Sequence, residues 1–221
     1  MPSLIGPNFD ADLIQNLTAA AYVIASILFI LGLKRLSSLS TALNGNRLAS
    51  VAMLIAVVVT LLNREIVTAE WIIVGLIVGS AIGFILSRTV QMTAMPQLVA
   101  LFNGFGGAAS ALVAASEFFR LTKNGSHISE DISITVMASV IIGAVTLTGS
   151  FIALGKLQGL ITTQPILIPA RNYLNLIVFL GAVTLAVLLI LEPDQFLLFF
   201  VLVSIALIPG LLLVIPIGGA D

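Results

Sequence analysis

Charged residues are so sparse in this chain that they divide it into seven long uncharged stretches. These are Leu13–Leu33, Leu48–Asn63, Trp71–Ser87, Thr89–Ser116, Ile132–Gly155, Asn172–Leu191 and Gln195–Ala220. A membrane-crossing helix needs about 20 mostly apolar residues, with a range of about 17–25. Each stretch is long enough for one crossing and none for two. The spacing predicts an all-α, polytopic transmembrane bundle of seven helices, near 13–33, 48–63, 71–87, 95–117, 132–154, 173–191 and 195–214. The second stretch is the shortest, but Arg47 and Arg64 flank it and can extend their heads to the interfaces.

Composition excludes the main alternatives. Hydrophobic residues make up 59% of the 221 residues and charged residues 9%, with a mean hydropathy of +1.20. A soluble domain is usually about 25% charged, so a soluble enzyme is excluded, as is a disordered chain. The net charge of −1 leaves no basic face for nucleic acid. Membrane lipid is the expected surroundings. With no cysteine, the chain has no disulfide, thiolate metal site or cysteine nucleophile. The segment before the first stretch carries Asp10 and Asp12 but no Lys or Arg, so it lacks the positive start of a signal peptide and reads as a retained helix.

Orientation follows from Lys and Arg in the short connections. One side holds Lys34, Arg35, Arg47, Arg88, Lys156 and Arg171, and the other only Arg64, Arg120 and Lys123. This places the N-terminus outside and the C-terminus inside. Trp71 is the expected interfacial anchor where the third helix enters. Glu117–Asp131 is the one connection long enough for a real loop, with a turn at Asn124-Gly125 and a solvated His127. No second domain is expected: residues 1–221 read as a single membrane domain.

Membrane helices associate through small residues that allow close approach and polar residues that hydrogen-bond. Gly75, Gly79 and Gly83 form a ridge on the third helix that predicts a tight helix–helix contact. On the fourth, Asn103, Gly107, Ser110 and Ala114 share a face. On the fifth, Thr135, Ser139, Gly143, Thr146 and Ser150 do the same. Two such stripes can pack dry, with each hydroxyl bonded to a backbone carbonyl, or line a narrow wet path. Asn103 stands out, because an unpaired amide in the apolar layer costs several kcal/mol. The run Phe102-Asn103-Gly104-Phe105-Gly106-Gly107 is a poor helix former, and local distortion or water entry is expected there. The centres of the spans hold no ionisable residue, and no catalytic pair, metal cluster or phosphate-binding loop is present, so the residues alone give a pore-capable bundle without chemistry. Pro209 should kink the last helix and Pro216 end it. The closing turn Ile215–Asp221 suggests a longer parent chain.

Three segments are similar to one family. They are Val90–Gly104 with Gly106-Gly107-Ala108-Ala109, Gly143–Ser150 leading into Gly155–Gly159, and Pro216-Ile217-Gly218-Gly219-Ala220-Asp221. Together they resemble the beta subunit of proton-translocating nicotinamide nucleotide transhydrogenase, over essentially the whole chain. The resemblance implies a membrane domain that couples proton passage to hydride transfer between NAD(H) and NADP(H). In the family two more helices and a soluble NADP(H)-binding domain follow the match to Asp221. This chain is thus expected to be the N-terminal part, binding no cofactor itself and not catalytic alone. The expected partners are an alpha subunit and the missing beta region, in a dimer of protomers. The bacterial inner membrane is the first expectation, with thylakoid and mitochondrial inner membranes as others.

Residue by residue, the resemblance places Asn103 at a polar position of the proton path, where members carry His or Asn. Asn cannot take up a proton, so a water wire past it is implied. Ser150 matches a Ser near that path, and Ser110 and Thr146 join it from the two stripes. Asp221, in the turn with Gly218 and Gly219, matches the contact with the NADP(H) domain, and Arg88 joins that contact by position. The other reading is a stand-alone membrane channel or transporter for a small solute.

Overall fold

The computed structural model describes residues 7–62, 69–123, 130–166 and 169–218. They form α1 (Pro7–Leu36), α2 (Ala42–Leu62), α3 (Ala69–Thr89), α4 (Met95–Lys123), α5 (Glu130–Leu157), α6 (Arg171–Leu191) and α7 (Phe196–Val214), with a 3-10 turn at Met92–Ala94. All seven helices are long and apolar enough to cross a membrane, and the described residues contain no strand. The all-α, seven-helix expectation therefore holds.

The helices overrun the uncharged stretches. Lys34 and Arg35 lie in the last turn of α1, Arg88 in that of α3, Arg120 and Lys123 in that of α4, and Lys156 in that of α5. A helix C-terminus carries partial negative charge, so a cation there prolongs the helix instead of ending it. Glu70 in α3, and Glu130 and Asp131 in α5, complement the opposite ends. Consequently the expected loop at Glu117–Asp131 is helical as far as Lys123. Arg64, Asn124-Gly125 and His127 lie outside the described residues.

The chain divides into two compact units, Met1–Ile85 and Leu86–Asp221. In the first, α1 and α2 form an antiparallel hairpin that crosses at a pair of glycines. A Cβ on Gly45 would come within 2.8 Å of the Gly32 carbonyl oxygen and the Leu36 nitrogen, and one on Gly32 within 3.0 Å of the Gly45 oxygen. Tyr22 and Thr60 share a hydroxyl–hydroxyl bond of 2.8 Å farther along, and the Thr41 hydroxyl donates to the Arg35 carbonyl at the hairpin bend. Among the described residues the ridge on α3 does not make the contact its pattern predicts. A Cβ on Gly75, Gly79 or Gly83 would meet nothing within 4 Å. Small residues permit close approach without supplying a partner.

In the second unit α5 is the central helix, antiparallel to α4 and parallel to α7, with α6 packed on α7. Its core joins Val140 and Ala144 of α5 to Ala182 and Ala186 of α6 and Leu202 and Ala206 of α7. Aromatic rings fasten one end, where Phe118 of α4 stacks on Phe199 of α7 at 4.6 Å and Phe119 packs beside them. Toward the other end Gly149 faces Gly210, so closely that a side chain on Gly210 would strike Val145 and Thr148. The Thr148 hydroxyl donates to the Leu207 carbonyl at 2.8 Å, a polar tie between helices in the proline-containing stretch of α7. The run Phe102–Gly107, expected to distort, is continuous helix, and Gly104 and Gly107 there serve the approach of α5.

Gly45→Val should destabilise the α1–α2 hairpin by about 1–3 kcal/mol, the usual cost of overpacking a close contact. Unfolding in mixed micelles would show this as a lower midpoint, whereas Gly79→Val should leave the midpoint unchanged.

Candidate functional site

The two polar stripes meet along the α4–α5 seam. At its centre the helices touch backbone to backbone. A Cβ on Gly107 would lie 2.8 Å from the Gly143 oxygen and the Leu147 nitrogen, and one on Gly143 would lie 2.6 Å from the Gly107 oxygen. One turn from this crossing, Asn103 Nδ2 donates to Ser150 Oγ at 2.7 Å. Ser150 is buried at 7% exposure, while Asn103 as a residue is exposed. This neutral pair gives the amide one partner across the seam and leaves its carbonyl side available.

Asn103, Thr146 and Ser150 line an open cleft of about 790 Å³ between α4, α5 and α7, walled otherwise by small or apolar side chains such as Ala100, Ala153 and Val214. A cavity of this size has room for many water molecules, each with a share of about 30 Å³ in the liquid. The sequence left dry packing and a wet path open, and the seam has both a closed contact and an open cleft. It is closed at the glycines and hollow beside Asn103. Thr146 and Thr135 satisfy their hydroxyls on their own helix, donating to the carbonyls of Ile142 and Asp131. Ser110 lies on the opposite side of the crossing from Asn103, in a separate cavity. The structure thus unites Asn103, Ser150 and Thr146 and sets Ser110 apart.

The end of the site nearest Asn103 is tied by a residue that sequence reasoning counted only as a loop charge. Lys156 is 2% exposed, and its Nζ donates to the carbonyl oxygens of Ile215 and Ile217, the latter at 2.7 Å. Its helix ends in a reversal where the amides of Leu160 and Gly159 donate back to the carbonyls of Gly155 and Lys156. That reversal requires a left-handed residue, and Gly159 supplies it at φ 70°. Gln97 in the first turn of α4 donates to the Leu157 carbonyl at 3.1 Å, while its own side-chain oxygen is buried without a protein partner. The signal for these ties was slight: a lysine and a glutamine at helix ends, where both are common.

The proposed coupling group is only partly described. Arg88 lies exposed in the last turn of α3, and Gly218 is exposed just past the turn held by Lys156. Gly219 and Asp221 lie outside the described residues. The described residues hold no cluster of His, Cys, Asp and Glu suited to a metal.

Comparison with known proteins bears on this geometry. The sequence profile of the family described as NAD(P) transhydrogenase beta subunit matches residues 18–221. Two sequences of NAD(P) transhydrogenase subunit beta from Rhodospirillum rubrum, one assigned to a particular strain, are each 39% identical over 211 residues. The alignments cover 94% of this chain and 45% of each relative, so the chain spans less than half their length.

If Lys156 fixes the segment after α7, Lys156→Ala should speed amide hydrogen exchange at Ile217 and Gly218 about tenfold, the equivalent of ~1.4 kcal/mol of local opening. Exchange in the α1–α2 hairpin should not change.

Proposed function

The chain belongs to the NAD(P) transhydrogenase beta-subunit family, and we propose that it is the proton-conducting membrane part of the enzyme. It is an integral membrane protein with seven helices able to span a bilayer. The observation that carries the proposal is the Asn103–Ser150 bond, set at the wall of a large cavity beside a closed helix crossing.

Asn103 remains neutral at any working pH, so it orders water and does not carry the proton itself. Its Nδ2 is held by Ser150, which fixes the orientation of the amide and turns the carbonyl oxygen toward the cavity as an acceptor for a hydrated proton. In the assembled enzyme, NADP(H) and NAD(H) are bound by other parts, the first by the beta region beyond this chain and the second by the alpha subunit. Those nucleotides supply the hydride chemistry. This chain's part is to admit water to Asn103 from one side of the membrane at a time.

Coupling runs through the end of the bundle that carries Lys156. A nucleotide domain docked on the inner face near Arg88, Gly218, Gly219 and Asp221 would move the turn after α7. Lys156 joins that turn to α5, three residues beyond Ala153 in the cavity wall. We assign the assembly to the bacterial inner membrane, as a dimer of protomers with the N-terminus outside.

In proteoliposomes holding the complete enzyme, Asn103→Leu should lower proton pumping during hydride transfer at least tenfold while the complex still assembles. Undiminished pumping would remove Asn103 from the path. Ser150→Ala should be milder, because a hydrogen bond of this kind between membrane helices is worth about 0.6 kcal/mol. Its expected effect is a two- to threefold loss of pumping.

A further inference from the structure

The α4–α5 seam contains a second cavity. It is open on one side, measures about 410 Å³, and has Ser110, Glu117, Thr135 and Ser139 as the polar members of its lining. Along α4, Asn103, Ser110 and Glu117 follow at steps of seven residues, and along α5 so do Ala153, Thr146 and Ser139. Seven residues are nearly two turns, so each set follows one helix face. The two cavities therefore follow the same seam, on either side of the Gly107–Gly143 crossing. There the opposing backbones leave no space even for a methyl group, and hence none for water.

Of the residues lining the two cavities, Glu117 alone is ionisable. Its carboxylate is held by Arg120, with Nε donating to Oε2 at 2.8 Å and Nη2 to Oε1 at 2.6 Å. The other charged residues near this end are Lys123 in the last turn of α4, Glu130 and Asp131 in the first turn of α5, and Glu192 and Asp194 ahead of α7. Glu117 lies 14 residues along the helix from Asn103, about 21 Å at 1.5 Å per residue. It can exchange protons with Asn103's surroundings only through water.

We propose that Glu117 is the proton-binding group of a second half-channel, sealed from the Asn103 cavity by the Gly107–Gly143 crossing. The proposal rests on the proton-conducting reading and extends it to the far side of the membrane. The carboxylate takes a proton from a hydronium ion and leaves a neutral water. The carboxylic acid then returns that proton to water in its own cavity, which reaches Asn103 only when the crossing loosens. Arg120 keeps the carboxylate at the cavity wall between these events.

The absence of native cysteine from this chain makes the test direct. Ser110→Cys and Ala153→Cys would each be placed in the complete enzyme, with cysteines removed from its other parts, and exposed to a membrane-impermeant maleimide in oriented vesicles. The two positions should react from opposite faces of the membrane. Reaction of both from one face, or of neither, overturns the sealed half-channels. Glu117→Gln, which retains a hydrogen-bond acceptor for Arg120 but binds no proton, should lower coupled turnover at least tenfold. Glu117→Asp should restore more than half of it. Wild-type coupling in Glu117→Gln, or an equal loss in Glu117→Asp, overturns the role of Glu117. Failure of the underlying reading would look different, as full proton pumping in Asn103→Leu.

Discussion

Close approach of glycine backbones is the constraint on which the rest of this structure depends. Lipid tails are as apolar as leucine, so no hydrophobic force presses these helices together, and dispersion between tightly matched surfaces must do so. Gly32 with Gly45, Gly107 with Gly143 and Gly149 with Gly210 bring three helix pairs close enough for one backbone to touch the next. Elsewhere the side chains are free to leave gaps. The cavities on the α4–α5 seam flank one such crossing, where two straight cylinders diverge from their point of nearest approach.

This geometry explains how a chain without ionisable residues at the centres of its spans can still carry a polar path. The crossing sets the distance at which Asn103 reaches Ser150, and the divergence beside it makes the hollow that the amide faces. At the opposite end the stacked phenylalanines of α4 and α7 do the work that small residues do in the middle, filling the wider separation with rings. Rings thus join α4 and α7 at one end, and the glycine crossing draws α4 and α5 together in the middle.

Much of this was legible in the residues, and the failures have physical reasons. Seven apolar stretches gave seven helices, because in lipid an apolar run has no alternative to the helix. The helix ends were misjudged at Lys34, Arg120 and Lys156, since cations sit favourably on the last turn. The period of Asn103, Gly107 and Ser110 against Gly143, Thr146 and Ser150 located the seam correctly. An equally regular ridge at Gly75, Gly79 and Gly83 meets nothing among the described residues, because periodicity reveals a smooth face and says nothing of what lies against it. Gly32 and Gly45, single glycines without a pattern, were invisible for the opposite reason. The role proposed for Asn103 came from the resemblance to transhydrogenase beta subunits, since the polar stripes alone left it open.

Lys156 also has a meaning for how the protein is made. Its head rests on carbonyls that lie 59 and 61 residues further along the chain. While α5 enters the membrane those carbonyls do not yet exist there, and a lysine buried without them is costly. The last turn of α5 must therefore stay at the water's edge until α7 has been synthesised and inserted. The final packing of the fifth helix is thus a late event, controlled by the arrival of the seventh.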